Sequence, residues 1–312
     1  MTIKKYYPTI LIAYNRLEHF IKTINALSEN FLANKTDVFL FIDGPKNYQD
    51  SLISKKIQSY AMSMMIKFSS LKIIQRDKNI GLAKNITLSV TEIISQYEAV
   101  IVLEDDIVVS QVFLNFMNDA LNYYKTSRKI WHISAHNVIN NTYKPDNIFF
   151  YRVMNCWGWA TWADRWKYFK KDLNETKKLF SKKDILKFNL DGAYDFWLQF
   201  KMNEAKIIDT WAIFWYATIF LNGGLCVNPY WSYAKNIGLD GSGINSGKDI
   251  KWQNSQTINN SGKFNPNSNL VEDIDQLKLI KDYYISNNKF RKLIRKYIKK
   301  PFVYFMGFIR NF

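Results

Sequence analysis

The run Ala99-Val100-Ile101-Val102-Leu103-Glu104-Asp105-Asp106 sets five apolar residues directly against three acids. An apolar run this short, with Val100, Ile101 and Val102 β-branched, reads as a strand buried on both faces. Acids at the end of such a strand need a partner, because an isolated buried charge costs more than a domain can supply. A divalent cation is the natural one, and oxygen ligands suit Mn²⁺ or Mg²⁺. The competing reading is an exposed acidic loop capping the next helix, since acids favour helix N-termini.

Upstream, Thr9-Ile10-Leu11-Ile12-Ala13, Val38-Phe39-Leu40-Phe41-Ile42 and Leu71-Lys72-Ile73-Ile74 have the same strand character. Between them lie segments with helical spacing: Leu17, Phe20, Ile21, Ile24, Leu27; then Ile53, Ile57, Tyr60, Met64; then Leu82, Ile86, Val90, Ile93. The alternation specifies β-α-β units, hence an α/β fold with a mostly parallel, Rossmann-like sheet flanked by helices. Polar residues follow each run: Asn15-Arg16, Asp43-Gly44, Arg76-Asp77 and Glu104-Asp105-Asp106. In an open parallel sheet these positions share the carboxyl edge, where ligands bind. Placement there lowers the odds that the acids are only a capping loop.

The ordered set Pro8 to Arg16, Asp43-Gly44, Arg76-Asp77-Lys78-Asn79-Ile80-Gly81-Leu82-Ala83-Lys84-Asn85 and Leu103 to Asp106 resembles the nucleotide-binding half of GT-A glycosyltransferases. It is most similar in style to the N-acetylglucosaminyltransferase I group and to bacterial surface-polysaccharide (family 2-like) transferases, over roughly residues 8–110. The resemblance implies that Asp43 contacts the uracil or ribose, that Arg16 and Arg76 lie near the nucleotide, and that Asp106 is the direct metal ligand. It also implies that Asn15, Asn79, Gly81, Lys84, Glu104 and Asp105 line the donor. Arg is suited to phosphate because it donates in a fixed fork. A metal bridging two phosphates would neutralise charge on a departing nucleoside diphosphate.

In the second half, Cys156-Trp157-Gly158-Trp159-Ala160-Thr161-Trp162 resembles the glycine-tryptophan acceptor segment of that group. Ile208-Asp209-Thr210-Trp211-Ala212, with Asn228-Pro229 and Asn236-Ile237-Gly238, resembles its catalytic-base region. An inverting transferase needs one carboxylate to take the acceptor hydroxyl proton. Asp209 is the first candidate, delivered by a short strand Lys206-Ile207-Ile208 with Trp211 on the same side, and Asp195, among aromatics, is the reserve. His132 and His136 flank a core strand and carry no assigned role. The tryptophans read equally as core or as a sugar-stacking platform.

This divides the chain into a nucleotide-sugar half (1–110), an acceptor and catalytic half (111–270) with a Gly/Ser/Asn-rich mobile loop at 236–269, and a helical tail (271–312). The formal charge of +16 calls for an anionic partner, and the acid-free stretch 289–312 alone carries eight Lys and Arg residues. There Phe290, Leu293, Ile294, Tyr297 and Ile298 share a helical face opposite Arg291, Lys292, Arg295, Lys296 and Lys299. That pattern suits an anionic membrane surface rather than nucleic acid, or else a helix packed on the domain. Two cysteines make no disulfide framework, and no run reaches membrane-spanning or signal-peptide length. The expected location is cytoplasmic, peripheral on the inner face of the inner membrane. Expected partners are a nucleotide-sugar donor, UDP-linked by the resemblance, and a glycan or lipid-linked glycan acceptor. The rival readings are a sugar nucleotidyltransferase, whose Gly-rich, basic opening Tyr14-Asn15-Arg16 lacks, and a non-catalytic basic membrane protein.

Overall fold

The computed structural model describes residues 5–140, 147–242, 249, 252–253 and 256–297, the final helix by its backbone alone from residue 287. The first half alternates as β1 (Thr9–Ala13), α1 (Leu17–Ser28), β2 (Asp37–Ile42), α2 (Tyr48–Ser63), β3 (Ser70–Gln75), α3 (Leu82–Ile94) and β4 (Ala99–Glu104). Within each strand, alternate residues enter opposite cores. Leu11, Val38, Leu40, Ile101 and Leu103 join the α1 residues Phe20, Ile24 and Leu27 on one face. Ile10, Ile12, Phe39, Phe41, Val100 and Val102 join the α3 residues Ile86, Val90 and Ile93 on the other. Two covered faces explain why the strands read as continuous apolar runs.

The second half comprises β5 (Ile107–Val109), α4 (Phe113–Tyr124), β6 (Ile130–Ser134), β7 (Ile148–Tyr151), β8 (Trp159–Trp162), short helices α5 (Ala163–Trp166), α6 (Leu173–Lys178), α7 (Lys182–Phe188) and α8 (Trp197–Glu204), then α9 (Ala212–Leu221), β9 (Leu225–Pro229), β10 (Ala234–Asn236) and α10 (Ile274–Tyr297). The eight-stranded sheet runs β3-β2-β1-β4-β8-β6-β9-β7, and β10 pairs with β5 in a separate ribbon. The β3-β2-β1-β4 portion is wholly parallel. Antiparallel pairs enter at β4–β8, β8–β6 and β9–β7, while β6–β9 is parallel. One sheet therefore crosses both halves of the chain.

Three sequence expectations change. Lys206-Ile207-Ile208 forms no strand: Lys206 adopts φ 54°, and Ile207 N–H donates to Met202 O at 2.9 Å, closing the α8 C-terminus. Of the tryptophan cluster, Trp159 and Trp162 are core residues of β8, and only Trp157 of these three faces a cleft. Within the loop expected at 236–269, Asn236 already belongs to β10, and residues 243–248, 250–251 and 254–255 lie outside the described residues. The tail side chains assigned to a membrane face, and all of 298–312, also lie outside them. Among the described residues no helix is long and apolar enough to cross a membrane; the apolar α9 is buried.

Candidate active site

Strands β1 and β4 are neighbours at the point where strand order reverses, with β2 and β3 on one side and β8 onward on the other. A parallel sheet opens a crevice there, outside its carboxyl ends. The register pairs Ile12 with Glu104, so the turns leaving the two strands run side by side. A cleft of about 380 Å³ opens above them, within the range usual for small-molecule sites. Its walls include Asn15, Arg16, Asp43, Asn79, Gly81, Glu104, Asp105, Asp106, Trp157, Asp209 and Trp211.

Arg16, at the N-terminal boundary of α1, forks onto both aspartates: Nη2 to Asp105 Oδ1, and Nη1 to Asp106 Oδ2 at 2.9 Å. Backbone contacts fix the acids from behind, as Thr23 Oγ1 donates to Asp105 O at 2.8 Å and Ile237 N–H to Asp106 O at 2.9 Å. Gly238 passes so close that a Cβ there would overlap Asp106 Oδ2 and crowd Arg16 Nη1. Burial pushes the Glu104 carboxyl well above the usual carboxylate range; the Asp106 charge adds to this and Arg16 opposes it. Burial likewise raises Asp105 although Arg16 pulls the other way. Burial alone would depress the Arg16 guanidinium, but its two acid partners outweigh that and hold it raised. Cys156 lies near enough that the Glu104 charge adds to burial in pushing its thiol up.

This donor set fits a hard divalent cation. One guanidinium faces three carboxylates, and the Glu104 side chain makes no hydrogen bond among the described residues. Among those residues no three His, Cys, Asp or Glu side chains converge on one point, so a cation here would complete its shell with oxygens from ligand or water. Mn²⁺- and Mg²⁺-like ions are often bound in that way, through one or two carboxylates plus phosphates.

Asp43, at the end of β2, has both carboxylate oxygens engaged. Oδ1 accepts from Gly44 N–H at 2.8 Å and Ile80 N–H at 2.9 Å, and Oδ2 from Gly81 N–H at 2.9 Å. Asn79 Nδ2 donates to Gly44 O at 2.8 Å, stitching the same turn to β2. Gly81 then begins α3 with φ 80°, a conformation that favours glycine.

The sequence reading missed Asp50. Its carboxylate accepts from Tyr14 Oη at 2.6 Å, Asn15 Nδ2 at 2.9 Å and Lys46 N–H at 3.2 Å, anchoring the turn after β1 to the start of α2. The hydrogen bonds from Tyr14 and Asn15 hold Asp50 below the usual carboxylate range. Nothing local in the sequence marks this residue; its importance comes from contacts 35 and 36 residues away. Lys46 and Asn85 also line the cleft without having been singled out.

On the second-half side, Asp209 is exposed, ion-pairs with Lys171 and reaches the cleft from the loop between α8 and α9. Asn203 pins that loop, accepting from Thr210 N–H and donating to Thr210 Oγ1, both at 3.1 Å. Trp211 stacks on Trp159 at 4.9 Å between centroids, and Trp159 stacks in turn on His132 at 5.4 Å. Trp157, His136 and Trp252 form a second aromatic group, with Trp157 4.6 Å from His136 and 5.3 Å from Trp252.

Three candidates are not brought to the cleft wall. Arg76 lies over Phe41 and donates to Asn85 Oδ1 at 3.2 Å and Ser89 Oγ at 3.1 Å. Lys84 is exposed on α3 and absent from the lining. Asp195 caps the first turn of α8, accepting from Leu198 N–H and Asn189 Nδ2, both at 3.1 Å.

No family model matches the chain, and no curated protein matches it in sequence. Solved structures resemble it distantly. A Pyrobaculum calidifontis mannosyltransferase, in complex with GDP-Man and Mn²⁺, is 11% identical over 70% of this chain and 70% of that chain, with TM-score 0.41. S. aureus TarS 1–349, in complex with UDP-GlcNAc, is 12% identical over 74% of this chain and 58% of that chain, with TM-score 0.41. Mycobacterium tuberculosis glucosyl-3-phosphoglycerate synthase, in complex with Mn²⁺, UDP and glucosyl-3-phosphoglycerate, is 9% identical over 51% and 58%, with TM-score 0.34. Likenesses this remote assign neither family nor activity, and the functional reading rests on the site.

Proposed function

We propose that this chain is a metal-dependent, inverting glycosyltransferase that moves a sugar from a nucleotide donor, UDP-linked, to a glycan or lipid-linked glycan in bacterial surface polysaccharide synthesis. The observation that carries the reading is the meeting of Arg16 with Glu104, Asp105 and Asp106 at the β1/β4 switch point, in a cleft walled opposite by Asp209 and Trp211.

Asp106 is the candidate direct ligand of Mn²⁺ or Mg²⁺, with Asp105 and Glu104 beside it. Such an ion, when bound, neutralises charge growing on the departing diphosphate. The remaining roles fall to the chain itself. Asp43 and Asn79 hold the turn that leads into α3 and shape the nucleotide end of the cleft. Asp209, ion-paired with Lys171, takes the acceptor hydroxyl proton, and Trp157 offers a ring on the sugar side. The exposure of Asp209 suits a base that must meet an incoming acceptor. The basic segment 289–312 would bring the enzyme to an anionic lipid surface on the cytoplasmic side, where a lipid-linked acceptor is presented.

Calorimetry of UDP with and without Mn²⁺, on wild type and Asp106→Ala, tests the reading. Metal-dependent UDP binding that disappears in Asp106→Ala is expected. Metal-independent binding, or none at all, would remove it.

A further inference from the structure

The fork made by Arg16 draws on the same carboxylates a cation would need. Its guanidinium takes one oxygen from each of Asp105 and Asp106, and its side chain makes no other hydrogen bond or ion pair among the described residues. Asp106 Oδ2 is hemmed in by Arg16 Nη1 at 2.9 Å and by the close passage of Gly238. A divalent cation at Asp106 would meet the guanidinium across one carboxylate, where like charges repel. Arg16 has somewhere else to go. It sits at the helix boundary with non-helical φ −111° and ψ 73°, its side chain is 18% exposed, and it lines the open cleft.

We propose that Arg16 is a built-in competitor of the metal: guanidinium and cation exclude one another at Asp106, and a diphosphate entering the cleft draws Arg16 off, which makes nucleotide binding and metal binding mutually reinforcing. The identity of the diphosphate rests on the glycosyltransferase reading; the competition does not. Arg forks match phosphate oxygens as well as carboxylates, so the transfer exchanges one charge-assisted pair for another. By linkage, whatever factor UDP adds to metal affinity, the metal adds to UDP affinity.

The test is calorimetric titration with Mn²⁺ alone, without nucleotide, on wild type, Arg16→Gln, Arg16→Lys and Lys46→Gln. Arg16→Gln should bind Mn²⁺ at least about tenfold more tightly than wild type, the scale of a modest allosteric coupling. Arg16→Lys, which keeps the charge but loses the fork, should gain a smaller, several-fold factor. Lys46→Gln removes a cation from the same cleft without touching Asp106, and should gain less than Arg16→Gln. No gain in Arg16→Gln, or an equal gain in Lys46→Gln, would overturn the competition in favour of a general field effect. If circular dichroism shows Arg16→Gln unfolded, Arg16→Lys decides, and an unchanged Mn²⁺ affinity there overturns the proposal. UDP should raise Mn²⁺ affinity more in wild type than in Arg16→Lys. Failure of UDP to bind wild type with Mn²⁺ would sink the glycosyltransferase reading while leaving the Mn²⁺-only comparison to judge Arg16.

Discussion

Replacing Asp43 by Asn separates a scaffold role from a ligand-contact role. The carboxylate accepts three backbone N–H groups and is itself buried. In Asp43→Asn the amide oxygen can keep the Gly44 and Ile80 donors, but Nδ2 then faces Gly81 N–H, donor against donor. A buried donor left unsatisfied costs about 1–3 kcal/mol. The two surviving bonds lose their charge assistance, a change of roughly 0.5–1 kcal/mol each. The sum is about 2–5 kcal/mol, a large share of a domain stability of about 5–15 kcal/mol. Flipping the amide makes matters worse, since two donors then lose their acceptor. Chemical denaturation followed by far-ultraviolet circular dichroism measures the loss, and calorimetry with UDP measures the ligand side. A variant as stable as wild type that loses only UDP affinity would refute the scaffold argument and return Asp43 to a purely ligand-facing role.

Asp209→Asn should keep fold and donor binding while turnover falls by roughly 10²–10⁴-fold; Asp195→Asn should keep turnover and cost little stability, because the amide oxygen can keep both bonds and Asn caps about as well as Asp, and the reverse pattern in steady-state assays would exchange their roles. Gly238→Ala should weaken Mn²⁺-dependent UDP binding, because the added methyl overlaps Asp106 Oδ2; calorimetry showing unchanged affinity would remove Gly238 from the site. Burial holds His132 down at about 3 and His136 at about 4, against an ordinary 6.5. The unfolded chain then binds more protons below pH 6.5, so each histidine's contribution to stability is lost as pH falls from there, at about 1.4 kcal/mol per pH unit. Glu104 and Asp105, raised by burial, act in the opposite sense, so the check is the difference between wild type and His132→Gln. Wild type should lose stability faster between pH 6.5 and 4.5, and equal slopes would count against a buried neutral imidazole.

Strands β1, β2 and β4 were legible because helices cover both faces of each, leaving uninterrupted apolar runs bounded by turns, whereas β3 buries only Leu71 and exposes Lys72. Val38–Ile42 was expected for β2 and Asp37–Ile42 is found; Ala99–Leu103 was expected for β4 and Ala99–Glu104 is found. The second half was harder to read. There β7 and β8 have four residues each and pair with strands distant in sequence, so local pattern carries little of their register. Among site residues, the acids after β4 and Arg16 after β1 were reachable because the switch point gathers those two turns. Arg76 follows β3 by the same logic, yet β3 is an edge strand separated from β1 by β2, and the side chain turns onto Phe41 and α3 instead. Asp195 sits among aromatic residues, but its neighbours Tyr194 and Phe196 pack in the core rather than line a cleft.

The insertion of β8 between β4 and β6 sets a condition on how the protein is made. During synthesis β1 to β4 emerge before β8, and β4 can pair with β1 along one edge only. The outer edge of β4, wholly apolar from Ala99 to Leu103, then waits for Trp159–Trp162 to arrive more than fifty residues later. Until it does, an unpaired, hydrophobic edge is open to any other nascent chain. Cutting the gene between its two halves would make that transient exposure permanent, so the acidic strand end and its aromatic opposite wall are bound together by solubility as well as by chemistry.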